Sequence, residues 1–316
     1  LQILGCSDWK KAEEAVLSHA EELIALCNSL PSTMIRLGGG CKRIETRCID
    51  SLSGPMLIAH IVVDCRDAMG ANAVNTMAEL IAPRLEDITG GRVHLRILSN
   101  LAAHRLARVR AVFTPEEISE DGTYENGVSV IEGILEAQHF AMADPFRAAT
   151  HNKGVMNAIS SVAVACGQDW RAIEAGCHAW AAYDNDHYGS MTVWEKDEAG
   201  NLVGSIETPM AVGTVGGASK VHPVAQANLA ILGVESAQEL AGIIAAAGLS
   251  QNLGALRALS TKGIQAGHMK LHARNMAVSA GAVGEEIEIV AARLQQVSGP
   301  KTQTLVGELL EKLRNE

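Results

Sequence analysis

A cluster of small and polar residues stands where a helix is predicted to begin: residues 67–72 read DAMGAN and follow the apolar stretch MLIAHIVV. The start of a helix presents unpaired N–H groups and the positive end of the helix dipole, and Gly70 would let a phosphate approach the backbone closely. The segment therefore predicts a site that can hold a pyrophosphate without lysines. The alternative is structural, with Asp67 as the N-cap of the helix and Gly70 as a packing glycine. The sequence has no G-x-G-x-x-G after a strand, so the usual dinucleotide fingerprint gives no support.

A second chemically unusual segment is residues 147–157, RAATHNKGVMN, which places two cations on a segment otherwise typical of an apolar helix. Lys153 and Asn157 are four residues apart and share a helix face, whereas Arg147 lies nearer the helix start. A lysine on a helix is usually a solvated surface residue. Here the helix continues into the small and apolar run SSVAVACG, which favours a position for Lys153 at the mouth of a buried cleft.

Asp169, in the sequence GQDW, has the position of an N-cap for the following helix. It could also face Lys153. A carboxylate beside a lysine keeps the ammonium charged and oriented, which is what polarisation of a substrate carbonyl requires.

The segment GHMKLHARN carries two histidines, His268 and His272, four residues apart on one predicted helix face. This is the spacing of a zinc-binding pair, but no glutamate stands between them and no third ligand is evident, so no metal site is predicted. Two interpretations remain, a single acid–base histidine and a structural histidine.

The elements that must position these residues follow two patterns. Residues 1–99 predict the order β-α-β-β-α-β of a ferredoxin-like domain, with a helix over residues 70–88 and a last strand in VHLRIL. This order differs from a doubly wound Rossmann sheet. From residue 127 the pattern is mostly helical, interrupted by a hairpin in which EAG joins SMTVWEKD to NLVGSIETP, with helices predicted to resume over residues 223–248 and again from residue 253. The sequence thus predicts an α+β protein with a small domain (1–99), a larger, mostly helical domain (100–266) and a C-terminal helical flap (267–316).

Composition sets broad limits on the class of protein. The 316 residues are 47% hydrophobic with 3% aromatic, so the chain can bury a core built from aliphatic side chains. The net charge of -10 argues against a general nucleic-acid or anionic-membrane binder, so an anionic ligand must meet a local cluster of cations. The sequence has seven cysteines without a CxxC pair and no apolar run of about 18 residues, which together favour a cytoplasmic protein with free thiols.

Taken in order, seven segments resemble 3-hydroxy-3-methylglutaryl-coenzyme A reductase, specifically the soluble class II form of bacteria and archaea. They are DAMGANAVNTMAE, RILSNLA, RAATHNKGVMN, GQDWRAIEAG, PMAVGTVGGA, QNLGALRAL and GHMKLHARN. The resemblance runs from residue 1 almost to the end of the chain. It implies a reduction of the thioester to mevalonate and free coenzyme A by two nicotinamide dinucleotides, through mevaldyl-CoA and mevaldehyde, or the reverse oxidation.

The resemblance also implies where the dinucleotide binds. The small domain becomes a non-Rossmann NAD(P)-binding domain whose dinucleotide-binding loop is formed by Asp67, Ala68, Met69, Gly70 and Asn72.

Roles in the reaction are carried over in the same way. Lys153 matches the lysine that stabilises negative charge on oxygen, and Asp169 matches the aspartate that hydrogen-bonds to it. His272 matches the acid that protonates the departing thiolate, while Arg147 and Asn157 match positions near the substrate carboxylate and the reacting centre.

The choice between NADH and NADPH is left open by the residues before the GGG segment, NSLPSTMIRL, which hold no carboxylate for the adenine ribose. Ser32, Thr33 and Arg36 could accommodate a 2′-phosphate, which favours NADPH or dual use.

The family is also homodimeric, and its C-terminal lobe closes over the site, which makes Gly263 and Gly267 candidate hinges.

In one respect the sequence departs from the family pattern. Family members carry an N-terminal segment with a catalytic glutamate in an EEPS-like motif and an ENVIG-like stretch at the dimer interface, and the printed sequence begins after both. These residues alone are therefore expected to have little or no reductase activity.

The alternatives to a reductase are a CoA-thioester lyase or transferase that uses His272 as a base, and an inactive dinucleotide-binding module.

Overall fold

The structure, a computed structural model, describes the backbone of residues 1–183, 187–261, 263–297 and 299–315, and the side chains of these residues apart from 264–271. The chain divides into two compact units. The first comprises Leu1–Val112, Phe140–Glu195 and Val203–Asn252, and the second Phe113–His139, Lys196–Leu202 and Leu253–Glu316. The predicted small domain lies wholly in the first unit and the predicted flap wholly in the second.

Residues 1–93 form the predicted ferredoxin-like fold. Its strands are β1 (Gln2–Leu4), β2 (Gly40–Ile49), β3 (Met56–Asp64) and β4 (Arg92–Val93), and its helices are α1 (Trp9–Ser18), α2 (Ala20–Asn28), α3 (Thr33–Arg36) and α4 (Ala71–Thr89). The strands are ordered β2-β3-β1-β4 and all neighbours are antiparallel. The α+β prediction is confirmed, and the helix predicted over residues 70–88 is α4.

The core of this domain lies between the sheet and its helices. Alternation along β3 buries Leu57 and Ala59, and the helical period of α4 buries Ile81 and Leu85 against them. The rest of this core is aliphatic or sulfur-bearing and includes Ile3, Val16, Leu23, Cys27 and Cys41. One face of the sheet is therefore covered by helices, and the other remains available to line a cavity.

Two elements of this domain differ from the sequence-based expectation. The first helix is broken at His19, whose Nδ1 lies 2.8 Å from the Ala15 carbonyl oxygen and so competes for an acceptor of the helix. The last strand has only two residues, Arg92 and Val93, although Gln2 N donates to Leu95 O beyond it at 2.9 Å.

The remaining elements follow from residue 106. They are β5 (Leu106–Phe113), α5 (Pro115–Ile118), α6 (Tyr124–Ala143), α7 (Pro145–Ala165), α8 (Trp170–Trp180), β6 (Thr192–Lys196), β7 (Leu202–Pro209), α9 (Gly217–Val221), α10 (Pro223–Leu232), α11 (Ala237–Ser260), α12 (Ile264–Ser279), α13 (Glu286–Gln296) and α14 (Gln303–Arg314). Strands β5, β7 and β6 form a second sheet in that order. The predicted hairpin is confirmed, with Gly200 N donating to Asp197 O at 3.0 Å in its turn.

Helix α11 is continuous where the sequence predicted a break between residues 248 and 253. Gly248 is a packing glycine, because a Cβ at this position would lie 2.7 Å from the Ile159 side chain on α7. The glycine lets two helices approach closely and does not end the helix.

In the second unit, α12, α13 and α14 share an aliphatic core whose buried members include Ala277, Val290, Leu294 and Val306. Arg314 donates to both carboxylate oxygens of Glu286 at 2.8 Å. These bonds, with one from the Val283 backbone, lower the pKa of Glu286 to about 2.

Among the described residues, no single helix is both long and apolar enough to cross a membrane. Helices α10 and α11 meet the length and composition criteria together, but they are bent by 85° relative to each other.

Candidate active site

The DAMGAN segment forms the loop between β3 and α4. Gly70 precedes α4 with φ of 99°, and a Cβ at this position would lie 2.2 Å from Cys65 Sγ, so the loop requires glycine here. The N-cap of α4 is Gly70, which has no side chain to cap the first turn. The start of this helix therefore keeps its N–H groups available for an anion.

Asp67 is not the N-cap of α4, contrary to the structural alternative drawn from the sequence. Its carboxylate accepts a hydrogen bond from Ala237 N at 2.8 Å, and its carbonyl accepts from Thr214 N at 2.9 Å and Val215 N at 3.2 Å. Asp67 thus anchors the loop to the start of α11 and to the segment after β7.

The DAMGAN loop and the loop after β7 are in close contact at Met69 and Gly213. A Cβ at Gly213 would lie 2.5 Å from Met69 N. Arg105 joins both loops, donating from Nη1 to Met69 O at 2.8 Å and from Nη2 to Val212 O. Gln168 holds the other side of Gly213, donating to its carbonyl at 2.9 Å and accepting from its N–H at 2.8 Å.

Sequence reasoning missed Arg105, Gln168 and Gly213 as parts of the site. Burial lowers the pKa of Arg105, and its donors are committed to backbone carbonyls of the two loops. Because these partners are backbone atoms more than 30 residues away in sequence, no local pattern marks them.

A cavity of about 840 Å³ opens beside this loop, which places Met69 and Gly70 in its wall along with the open face of the small-domain sheet. Its cations, Lys42, Arg43, Arg47, Arg66 and Arg105, outnumber its acids, Glu45 and Asp64, which pair with Arg43 and Arg66. This volume is within the range of about 300–1,000 Å³ that is common for small-molecule and cofactor sites. The cavity supplies the local positive charge that an anionic ligand needs in a chain of net charge -10.

The cations nearest the GGG segment are Lys42 and Arg66. Lys42 Nζ donates to Gly38 O at 2.7 Å, and Arg66 Nη2 donates to the same oxygen at 2.8 Å. Arg36, predicted to help hold a 2′-phosphate, donates to Thr33 Oγ1 at 2.9 Å.

Helix α7 carries Arg147, Lys153 and Asn157. Its N-cap Asp144 accepts from Arg147 N at 3.1 Å, and Pro145 follows at the first helical position. Lys153 and Asn157 share one face, as predicted, but Lys153 is exposed and lines none of the three described cavities, contrary to the expected position at the mouth of a buried cleft. With its oxygen turned toward the ammonium, the Asn157 amide accepts from Lys153 Nζ at 3.3 Å.

The Arg147 guanidinium is half-buried, and burial lowers its pKa. Within the described residues it has no hydrogen bond or ion pair to an acid. A guanidinium can bind a carboxylate through two parallel N–H···O bonds.

Asp169 is the N-cap of α8, as predicted, and accepts from Ala172 N at 3.2 Å. Its carboxylate also lies 3.5 Å from Arg171 Nε. In the part of the chain that the structure describes, Asp169 and Lys153 are not paired within 4.0 Å. The structure therefore brings Lys153 together with Asn157 and leaves Asp169 with Arg171.

A buried histidine, His151, lies on the inner face of α7 and was not predicted as a functional residue. It is 2% exposed, and its Nε2 lies 2.8 Å from Thr192 Oγ1, 2.9 Å from Ser190 Oγ and 3.0 Å from Asn252 Nδ2. Burial, followed by the charge of Arg147, lowers the pKa of His151 to about 4. The imidazole is therefore neutral at pH 7.

His272 is exposed on α12, in the second unit, whereas the other predicted site residues lie in the first. The side chain of His268 is outside the described residues. Within the described part of the chain, no group of three or more His, Cys, Asp or Glu side chains could hold a metal ion.

Comparison with known proteins gives consistent matches over the chain. The sequence profile of the family described as Hydroxymethylglutaryl-coenzyme A reductase matches residues 1–273. The 3-hydroxy-3-methylglutaryl-coenzyme A reductase of Archaeoglobus fulgidus is 54% identical over 315 residues, covering 100% of this chain and 70% of the relative. A probable 3-hydroxy-3-methylglutaryl-coenzyme A reductase of Borreliella burgdorferi is 35% identical over 86% of this chain and 63% of the relative.

A similar solved structure is the class II 3-hydroxy-3-methylglutaryl-CoA reductase of Streptococcus pneumoniae bound to NADPH in open conformations. It is 38% identical with a TM-score of 0.79, over 99% of this chain and 75% of that one.

The depressed pKa of His151 makes a prediction about stability. An unfolded imidazole takes up a proton near pH 6.5, whereas the folded protein keeps His151 neutral down to about pH 4, so acid favours the unfolded chain between these values. As the pH falls from 6.5 to 4, this group should lower the free energy of unfolding by up to about 3 kcal/mol. Above pH 6.5 it should contribute no pH dependence.

Urea unfolding across this pH range, with the wild type and a His151→Gln variant, measures the effect. The difference between the two curves isolates His151 from the carboxylates that titrate in the same range. If the free energies of unfolding of the two proteins changed in parallel with pH, the lowered pKa of His151 would be contradicted.

Proposed function

The chain belongs to the hydroxymethylglutaryl-coenzyme A reductase family, and we propose that it interconverts 3-hydroxy-3-methylglutaryl-CoA with mevalonate and coenzyme A, using two NADPH or NADH. The structural observation that carries this proposal is the cationic cavity of about 840 Å³ whose wall includes the Met69–Gly70 backbone before the uncapped start of α4. This arrangement suits a dinucleotide outside a Rossmann fold.

The residues present fit such a cofactor. The loop of Asp67, Ala68, Met69, Gly70 and Asn72 would hold the pyrophosphate through the N–H groups at the start of α4. When bound, the nicotinamide supplies the hydride for each of the two reductions. Because Asp67 is committed to backbone donors at residues 214, 215 and 237, its part in binding is to fix the shape of the loop.

Lys153 has the central role in the proposed chemistry. Addition of hydride to the acyl carbon leaves negative charge on oxygen, and one well-placed donor stabilises such charge by roughly 3 to 4 kcal/mol in a preorganised site. Asn157 orients the ammonium from the next turn of α7. Asp169 would hydrogen-bond to the lysine, which requires its carboxylate to turn from Arg171.

Arg147 is proposed to bind the substrate carboxylate. Its half-buried guanidinium lies six residues, about 1.7 turns, before Lys153 on the same helix and has no acidic partner among the described residues. A bidentate guanidinium–carboxylate pair would fix the distance between the carboxylate and the reacting carbonyl.

A histidine of α12 is proposed to protonate the departing thiolate, and the resemblance assigns this role to His272. A thiol has a pKa of about 8.5 and an imidazole about 6.5, so the proton transfer is downhill, and such acid catalysis contributes about a hundred- to ten-thousand-fold. His268, one turn earlier on α12, is the competing candidate.

NADPH use, or dual use, is proposed from the cations near the GGG segment. Arg36 bonds to Thr33, but Lys42 and Arg66 meet at Gly38 and lie in the wall of the cavity. They add positive charge to the proposed 2′-phosphate region of Ser32, Thr33 and Arg36.

We also propose a cytoplasmic homodimer or an oligomer of dimers. Large apolar side chains are strongly exposed in the first unit, including Phe146 at 88%, Ile231 at 82% and Val221 at 78%. Apolar exposure of this kind favours burial in an interface between copies.

Two other functions are separated by simple measurements. A CoA-thioester lyase or transferase would leave NADPH absorbance unchanged when the thioester is added. An inactive module would bind NADPH but not coenzyme A in calorimetry, whereas a reductase binds both.

The proposed activity is tested with Lys153→Met in the natural full-length polypeptide that contains these residues. We expect oxidation of NADPH by hydroxymethylglutaryl-CoA in the wild type and a fall in kcat of about a hundred- to thousand-fold in the variant. Lys11→Met, at an exposed position of α1, is the matched control and should keep wild-type kcat. Absence of thioester-dependent NADPH oxidation in the wild type would overturn the function.

The acid is identified by comparing His272→Gln with His268→Gln. Loss of the proton donor should slow reduction of the thioester at least tenfold more than reduction of free mevaldehyde, because only the thioester releases a thiolate. Selective loss in His268→Gln instead would move the role to His268. If both variants slowed the two reactions equally, neither histidine of α12 would be the proton donor.

The binding loop is tested with Gly70→Ala. A Cβ at Gly70 meets Cys65 Sγ and an alanine strains the backbone at φ of 99°, so the loop must move from the start of α4. We expect calorimetry to show NADPH binding weakened at least tenfold, with binding of coenzyme A retained. Gly307→Ala, at an open position of α14, should leave both unchanged. Wild-type NADPH affinity in Gly70→Ala would exclude this loop as the binding site.

A further inference from the structure

A buried chain of hydrogen bonds connects three elements beneath Lys153. Trp194 Nε1 on β6 donates to Asn252 Oδ1 on α11 at 2.7 Å, and Thr192 Oγ1 donates to the same oxygen at 3.0 Å. Asn252 Nδ2 then meets His151 Nε2 on α7 at 3.0 Å. Asn252 is 1% exposed and Trp194 2%, so water does not compete for these bonds.

This chain determines the tautomer of His151. An indole N–H is a donor only, so the Asn252 oxygen must face Trp194, and the Asn252 nitrogen must then face His151. That nitrogen is also a donor only, so His151 Nε2 must be an acceptor. The Thr192 and Ser190 hydroxyls also face Nε2, at 2.8 and 2.9 Å, but a hydroxyl can either donate or accept, so the Asn252 amide decides the tautomer. The imidazole proton is therefore on Nδ1.

Packing alone would not favour this arrangement. His151 Nδ1 is buried and has no hydrogen-bond partner among the residues that the structure describes, and an unpaired buried donor destabilises the fold. An aliphatic residue would fill the same space without that penalty. A histidine at this position therefore points to a requirement for its Nε2 acceptor.

The chain and its neighbour Asn152 fix the turn of α7 that precedes Lys153. Asn152 donates to Gly189 O at 2.8 Å and accepts from Met191 N at 2.8 Å, so it binds the backbone of the segment before β6. His151 and Asn152 thus tie the inner face of α7 to β6 and α11, while Lys153 projects from the exposed face. Rotation or sliding of this turn would displace the ammonium.

We propose that His151 is a positioning residue for Lys153, and that Asn252, oriented by Trp194, locks it as the Nδ1–H tautomer whose Nε2 anchors α7. The proposal rests on the role of Lys153 given under the proposed function. Among the described residues, the polar groups that face the imidazole from β6, α11 and residues 187–191 are uncharged, and the charged neighbour is Arg147 on its own helix.

Three substitutions at position 151 separate anchoring from other roles. Gln can present an oxygen where Nε2 stands, Asn reaches only the Nδ1 position, and Leu offers neither. We expect His151→Gln to keep kcat within about threefold and His151→Asn and His151→Leu to lose about ten- to a hundredfold, the scale of a displaced catalytic group. The affinity for NADPH should stay unchanged in all three.

Thr208→Val is the control for general destabilisation, because it removes a buried hydrogen bond to Cys177 on another element. It should retain wild-type kcat. Retention of kcat in His151→Leu or His151→Asn would overturn the proposal. If His151→Leu fails to fold, the comparison of kcat between His151→Gln and His151→Asn still tests the proposal.

A second measurement does not depend on reductase activity. Nitrogen-15 chemical shifts of the His151 ring should report a neutral Nδ1–H imidazole from pH 6 to 8 in the wild type. In Asn252→Asp, where the donor becomes an acceptor, the ring should carry a proton on Nε2 and kcat should fall. An Nε2–H or charged imidazole in the wild type would overturn the tautomer lock. If the wild type showed the Nδ1–H tautomer but no NADPH oxidation, the proposed function would be wrong and the tautomer assignment would stand.

Discussion

The close approach of two backbone loops at Gly213 and Met69 is the constraint on which the rest of the candidate site depends. A single β-carbon does not fit between them, Arg105 joins them by bonding to both backbones, and Gln168 holds Gly213 by two hydrogen bonds. Because of this contact, the loop before α4 is fixed relative to the segment after β7 and to the start of α8. The loop is thereby preorganised, so a ligand at the helix start would not have to order it.

Charge is distributed to serve the same site. The chain is acidic overall, yet the cavity beside α4 collects lysine and arginine side chains, which lowers the cost of bringing an anion to the surface. On α7, by contrast, the cations are few and spaced for separate tasks, with Arg147 half-buried and Lys153 at the surface. In the proposed function, positive charge for binding the dinucleotide and positive charge for the reaction are therefore carried by different elements.

Sequence reasoning predicted the elements better than the connections between them. The β-α-β-β-α-β order, the start of α4 and the shared face of Lys153 and Asn157 all follow from local patterns of period two or 3.6. The break at His19 and the continuity of α11 through Gly248 were missed, because each is decided by a single side-chain contact. Arg105 and the Trp194–Asn252–His151 chain could not be predicted, since their partners are brought together only by the tertiary fold.

The crowding of Cys65 Sγ against Gly70 has an evolutionary consequence. Burial raises the pKa of Cys65, so its sulfur is a protonated packing atom and not a nucleophile at neutral pH. Positions 65 and 70 share one small volume at the entrance to a helix. A lineage that enlarges one of them has no room left in the other, so the two sites are expected to vary as a linked pair, with glycine at 70 the last to be replaced.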